Sequence, residues 1–479
     1  MNWSLPVSTG SLSSNIGFRS NVVLLSFYFL LLFIVQTIGL QGTPQKIFKT
    51  IAKKCIHITE PIPPSYDPSI WYTFTDVAII LLLFVCVWKK RHAIKALFWE
   101  GSAKFLWIFL LCMLLSIFTS SVPHFGMPYV RLFQFSLLAL LFCLIANGFP
   151  LLQYRSFLLW MCSSILLLAL FECSLGIYQC FALTTPEEMQ SVAWNPSTLS
   201  GMASYGPFDF FSTTPRISLL RAYGTFYHPN VFGGFLVFSL LVSYYLFYSL
   251  QRLLAKITVA LGIAIELLGL ICTFSRSAFL ALVFATPLWL ILCWRSGSTV
   301  QRKHLIHFCI FLLSTVLLFS ILFAKPLLRR GPLFNVPKIL ATEGERLKFQ
   351  RTAMNMVQSS PLTGVGYNHY LILQPKYSPT PLSPSEHLPV HNIYLLIAAE
   401  TGLLGLFAFC TFLGALFKSA NVHKISASGA TFFSSMVGLL FIGCCDCYPL
   451  GTMRQGQLLF FIIASFLALE GRNQREPTV

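Results

Sequence analysis

Runs of roughly 20 apolar residues, repeated from one end of the chain to the other with hardly a charge inside them, constrain this fold more than any other feature. Water cannot solvate such a run. In a bilayer it must satisfy every backbone amide internally, which leaves a helix or a closed barrel. Barrel strands alternate in polarity, whereas these Leu- and Phe-rich stretches, which draw on 46 Phe, do not. The chain is therefore read as all-α. Only 10% of its residues are charged, against about 25% in soluble domains, which excludes an ordinary soluble enzyme.

Spans are expected at residues 22–40, 71–88, 105–121, 129–147, 157–183, 230–250, 257–274, 278–294, 305–323, 390–417, 426–445 and 455–470. About 12 transmembrane helices thus form a single polytopic domain over residues 1–479, with no internal repeat and no soluble second domain. Arg19 precedes the first run and no small-residue cleavage site follows it, so that run is read as a retained span. Short basic loops remain cytoplasmic. Lys89, Lys90, Arg91 and Lys95; Arg252 and Lys256; Arg295, Arg302 and Lys303; and Lys418 and Lys424 all fall on one side, which places both termini in the cytoplasm.

The opposite side carries three loops, 41–70, 184–229 and 324–388, and about half of the 33 Lys and Arg. Long loops tolerate positive charge; an outer cavity for an anionic substrate would attract it. Both readings stand. In loop 41–70, K-I-F-K-T-I-A-K-K suits either a helix on the membrane surface or a solvated one. In loop 324–388, Thr342 and Glu345 have capping-box spacing. Phe349, Ala353 and Met356 share one face of the amphipathic helix that follows, and Pro361 ends it.

The last loop leads into P-V-H-N-I-Y-L-L-I-A-A-E-T-G-L-L-G-L-F, residues 389–407. His391 sits at the water boundary, as an interfacial residue or as a base. Leu395, Ala398, Gly402 and Gly405 fall below it on one helical line, where small residues admit a second helix. Glu400 lies opposite and is expected to accept structural hydrogen bonds. His369 and His387, in the loop, are weaker candidates.

Arg276, in the tight T-F-S-R-S hairpin, needs a counter-ion: Asp446 or Glu266 structurally, or a bound anion. Arg221 and Arg346 are similar cases, and guanidinium groups suit phosphate through two-point hydrogen bonds. The cluster Cys444, Cys445, Asp446 and Cys447 lacks zinc-finger spacing, and an outward disulfide there stays open. Most other cysteines lie inside apolar runs as small hydrophobes. No Walker loop or dinucleotide motif supports ATP hydrolysis or hydride chemistry. No cofactor, metal or nucleic-acid partner is expected.

Four pieces then stand out together: R-A-Y-G-T-F-Y-H-P-N-V-F-G-G at 221–234, T-F-S-R-S at 273–277, G-E-R-L with S-P-L-T-G-V-G-Y between 344 and 367, and H-N-I-Y-L with E-T-G-L-L-G from 391 to 405. Over roughly residues 200–450 they resemble the O-antigen ligase and polymerase superfamily of bacterial surface-polysaccharide enzymes. The resemblance implies a metal-independent, inverting glycosyltransferase of the all-helical membrane class (GT-C type) in the bacterial inner membrane. Its donor would be an undecaprenyl-diphosphate-linked glycan, used on the periplasmic face where the large loop helps form the active site. Carried onto matching positions, His391 would activate the acceptor hydroxyl, Arg221 and Arg276 would hold the diphosphate with help from Arg346, and Asn392 and Asp446 would support them. Lipid A-core is the expected acceptor. A polymerase acting on a second lipid-linked repeat, or a protein O-oligosaccharyltransferase, would share the motifs. A transporter or flippase is the rival class, suggested by the intramembrane acids Glu172, Glu266 and Glu400. Against it, paired broken helices in two related halves are missing from the sequence.

Overall fold

The computed structural model describes residues 79–80, 98–122, 126–148, 154–182, 221–226, 228–322, 336–382, 387–451 and 453–475. The spans expected at 22–40 and, but for two residues, at 71–88 lie outside them, as do loop 41–70 and most of loop 184–229. The described residues form twelve α-helices and no strand. These are α1 (Ala103–Phe118), α2 (Met127–Gly148), α3 (Tyr154–Ala182), α4 (Pro229–Ser249), α5 (Leu253–Thr273), α6 (Arg276–Ser296), α7 (Thr299–Leu322), α8 (Val336–Ser359), α9 (Tyr370–Tyr377), α10 (Ile393–Ser419), α11 (Ala427–Cys445) and α12 (Arg454–Arg475).

Each of the ten remaining expected spans coincides with one of these helices. Eight, α2 to α7, α10 and α11, are long and apolar enough to cross a membrane. The chain is thus a polytopic all-helical membrane protein. Helix α4 is almost wholly enclosed by α3, α5, α6 and α11, while α10 packs on α1 and α2 on α12. Helix α7 instead exposes Ile310, Leu313, Leu317 and Ile321. Exposed apolar side chains of that kind mark a membrane or protein contact, and on a helix long and apolar enough to cross a bilayer they suit lipid.

Helix α8 begins at Val336, so Thr342 lies inside the helix and does not cap it. Its apolar face forms as expected. Phe349, Ala353 and Met356 are buried with Val365, Tyr370, Leu373, Val390, Leu396 and Cys447 in a small core of their own, separate from that of the bundle.

The glycine line on α10 works differently from the expectation. Gly402 has φ 68 and ψ −175, a conformation that interrupts the helix, and the space that its Cβ would take is filled by the backbone of Leu362 and Thr363. The extended segment at 361–366 lies against the break. In an unbroken helix the amides of Leu403 and Leu404 would bond the carbonyls of Ala399 and Glu400. Here Leu403 N–H donates to the Pro361 carbonyl (2.8 Å) and Leu404 N–H to that of Leu362 (3.3 Å). The carbonyls of Ala399 and Glu400 accept from Val365 N–H (2.9 Å) and Gly366 N–H (3.0 Å). Four backbone groups change partners and none is lost, which is how a broken helix is tolerated at membrane depth. Gly364 (φ 70) completes the fit, since a Cβ there would lie 2.4 Å from the Glu400 carbonyl carbon.

Candidate active site

The site is assembled from the ends of several helices. At the first, α5 closes on Phe274 in the left-handed conformation, leaving its last carbonyls without helical partners. Residues 221–222 supply them: Ala222 N–H donates to Cys272 O (2.9 Å) and Arg221 Nε to Thr273 O (2.8 Å). A cation at a helix C-terminus is also favoured by the helix dipole. Arg221 is buried, and its Nη2 donates to Asn230 Oδ1 at 2.7 Å.

The second end is the start of α4. His228 caps it, with Nδ1 accepting from Asn230 N–H at 3.1 Å and Pro229 in the first turn. Asn230 passes the connection on: Nδ2 donates to Asp446 Oδ2 at 2.7 Å. Asp446, buried at the C-terminal cap of α11, also accepts from Cys447 N–H through Oδ1 (2.8 Å). The third end is the start of α10, where Asn392 is the cap. Its Oδ1 accepts from Leu395 N–H (2.9 Å) and its Nδ2 donates to Cys444 O (3.2 Å), which ties α10 to α11. His391 precedes it, 31% exposed, with Nδ1 3.6 Å from Asp446 Oδ1. That separation exceeds a direct hydrogen bond and lies within ion-pair reach.

An unbroken polar chain, Arg221 to Asn230 to Asp446 to His391, therefore joins residues far apart in sequence. Asp446 is held below the usual carboxylate range: burial pushes it up, but the contact with His391, the neighbouring His228 and the Asn230 bond outweigh burial. Arg346 is half-buried on α8, one turn before Phe349, whose ring centroid is 6.4 Å from that of His391. Arg276 is exposed in the first turn of α6. Its expected structural counter-ions are engaged elsewhere, Asp446 as above and Glu266 with Ser239. His369 is fully buried, with Nδ1 2.9 Å from Ser120 Oγ, and serves packing. Sequence reasoning passed over His228 and Asn230. The H-P-N run carries a cap signal, histidine then proline at the first helical position, but nothing local shows that Asn230 meets Asp446.

His391, Asp446 and Cys447 offer three potential metal-ligand atoms within 4.8 Å of one another. Burial pushes the Cys447 thiol well above its usual range, and each Asp446 oxygen accepts a hydrogen bond, Oδ2 from Asn230 and Oδ1 from Cys447 N–H. Cys444, Cys445 and Cys447 are thiols and form no disulfide.

One pH dependence follows from the cap. Burial first, and the Arg221 guanidinium second, push His228 down to about 4, with His391 adding to them and Asp446 opposing. An unfolded imidazole titrates near about 6.5. Between those values the unfolded chain binds a proton that the folded chain refuses, so stability falls as pH falls through that window. Asp446 contributes its share above the ordinary carboxylate range and loses it only at lower pH. Over pH about 6.5 to about 4 the wild type is expected to lose thermal stability in detergent relative to His228→Asn, which keeps a capping oxygen without titrating; identical pH dependence of the two unfolding temperatures would contradict it.

Fold and site together define a class: an all-helical polytopic membrane protein whose polar residues converge on a half-exposed histidine at one end of the bundle. Residues 261–410 match the family described as O-antigen ligase, in agreement with the superfamily that the motifs resemble. The matched segment contains Arg276, Arg346, His391 and Asn392; Arg221 and Asp446 lie outside it. Comparison with curated proteins finds no match.

Proposed function

We propose that this protein transfers a glycan from an undecaprenyl-diphosphate carrier to a lipid A-core hydroxyl at the outer face of the bacterial inner membrane. The observation that carries the reading is the contact of His391 with a buried Asp446, on a chain whose segment 261–410 matches the O-antigen ligase family. Asp446 beside Nδ1 favours the tautomer with a proton on Nδ1, which leaves Nε2 as the base. The acceptor hydroxyl gives its proton to Nε2 as its oxygen attacks the anomeric carbon. The bond from that carbon to the diphosphate oxygen breaks, the diphosphate leaves with the electron pair, and the configuration inverts. Leaving-group charge needs donors fixed before reaction. Arg276, exposed at the N-terminus of a 21-residue helix, combines a guanidinium with the positive end of a helix dipole. Arg221, committed to Thr273 and Asn230, adds fixed charge behind it, and Arg346 approaches from the loop helix.

The intramembrane acids favour this reading over transport. Glu172 accepts from Thr225, Glu266 from Ser239, and Glu400 from Tyr370 N–H (3.2 Å), so each accepts a local structural hydrogen bond. The test is an assay of purified protein with lipid-linked glycan and, separately, lipid A-core, a second lipid-linked repeat and a protein acceptor, with and without chelator. Product is expected with lipid A-core and unaffected by chelator. Product only with the repeat would make the protein a polymerase, and product only with protein an oligosaccharyltransferase. Loss of activity with chelator would contradict the metal-free mechanism.

A further inference from the structure

The turn between Arg221 and the start of α4 is held from a helix that the reaction does not otherwise use. Glu172 and Gln179 on α3 are seven residues apart, two helical turns, so they project from one face. Both are fully buried. Glu172 Oε2 accepts from Thr225 N–H (2.8 Å) and Oε1 from the Thr225 hydroxyl (2.7 Å). Gln179 Oε1 accepts from the amides of Tyr223 (3.2 Å) and Gly224 (2.9 Å), and its Nε2 donates to the Gly224 carbonyl (2.8 Å). Gly224 takes φ 57, and a Cβ there would lie 2.3 Å from Glu172 Oε2, so the turn closes directly onto the carboxylate.

Buried backbone groups must find partners, and a short turn cannot supply its own. Two side chains of α3 satisfy four of them on one side, while the C-terminus of α5 holds Ala222 and Arg221 on the other. Arg221 begins this clamped segment and Asn230 follows it. We propose that Glu172 and Gln179 are positioning residues of the donor site: they fix the 222–225 turn so that Arg221 and Asn230 hold the geometry that binds a lipid-linked diphosphate. The inference rests on the transfer reaction above and adds to it a further helix with a specific task.

The test measures the KM of the lipid-linked donor and of the acceptor separately, in purified wild type, Thr225→Val and Thr225→Ser. Thr225→Val keeps the side-chain shape and removes one donor to Glu172; Thr225→Ser keeps the hydroxyl. The donor KM is expected to rise about tenfold in Thr225→Val, the loss that corresponds to one hydrogen bond. The acceptor KM should not change, and Thr225→Ser should return the donor KM to near wild type. A merely structural role would lower the active fraction, and so kcat, with both KM values unchanged. That result, or an equal rise in both KM values, overturns the proposal. Should Thr225→Val fail to fold, Gln179→Glu, which keeps the acceptor for two amides and loses the donor to Gly224, carries the same expectation and the same refutation. No transfer by wild type would defeat the underlying reaction and this inference with it, whereas transfer with an unchanged donor KM in the variants defeats the inference alone.

Discussion

Replacing His391 by alanine is expected to lower glycan transfer about 10²–10⁴-fold, the range that a positioned general base supplies, with little change in unfolding temperature. The small structural effect follows from the surroundings. His391 is 31% exposed and precedes the helix, whose cap is the neighbouring Asn392. Removing the ring therefore leaves α10 and its tie to Cys444 in place. Asp446→Asn should also reduce transfer, because a neutral amide no longer favours the Nδ1–H tautomer or stabilises the imidazolium formed in the reaction. It should cost stability as well, since Asp446 joins α11 to Asn230. The two variants thus separate a base from the residue that orients it. Steady-state kcat/KM with lipid-linked donor, beside thermal unfolding in the same detergent, measures both. A folded His391→Ala protein with wild-type transfer would end the proposal that this histidine is the base.

Gly402→Ala is expected to have a larger effect on folding than substitutions at the polar site. Its φ and ψ lie in a region that only glycine occupies readily, at a cost to other residues of about 1–3 kcal/mol. The added methyl would also lie 2.1 Å from the Leu362 carbonyl oxygen and 2.6 Å from Thr363 N, both backbone atoms. Relief requires the 361–366 segment to withdraw. Its withdrawal strands four exchanged backbone groups, at about 1–3 kcal/mol for each one left unpaired. The sum is comparable with the whole stability of a typical domain. Unfolding at a much lower temperature, or failure to accumulate, should follow, with protease cleavage near residues 361–366 in any protein recovered. Gly414→Ala on the same helix is the control. A Cβ there meets nothing within 4 Å, so the change should be neutral or slightly stabilising. Equal behaviour of the two variants would refute the account of the kink.

The kink also explains a pairing that one-dimensional reading left as two separate motifs. S-P-L-T-G-V-G-Y and E-T-G-L-L-G exchange backbone hydrogen bonds, and Gly364 and Gly402 are the points where one backbone passes through the space that a Cβ of the other would fill. Small residues on a helical line suggest a neighbouring helix because that is the usual use of such a line. Whether the neighbour is a helix or an extended segment depends on φ at one residue, which composition does not reveal. The start of α8 differed for a related reason. Thr342 and Glu345 have the spacing of a cap, but the helix continues N-terminally through residues that are themselves compatible with helix.

By itself the sequence determined the membrane-embedded, all-helical class, the placement of ten described helices, the apolar face of α8 and the local setting of His391. Apolar runs, periodicity and caps depend on near neighbours, so they are legible along one dimension. Tertiary structure alone decided that Asn230 bridges Arg221 to Asp446, that Asp446 faces His391, and that Glu172 and Gln179 hold the turn between Arg221 and α4. Apart from Arg221 and Asn230, which are nine positions apart, those links join residues 44 to 216 positions apart. Each exists because a polar group enclosed by apolar helices must find its partner wherever the packing brings one, and packing is a property of the whole bundle.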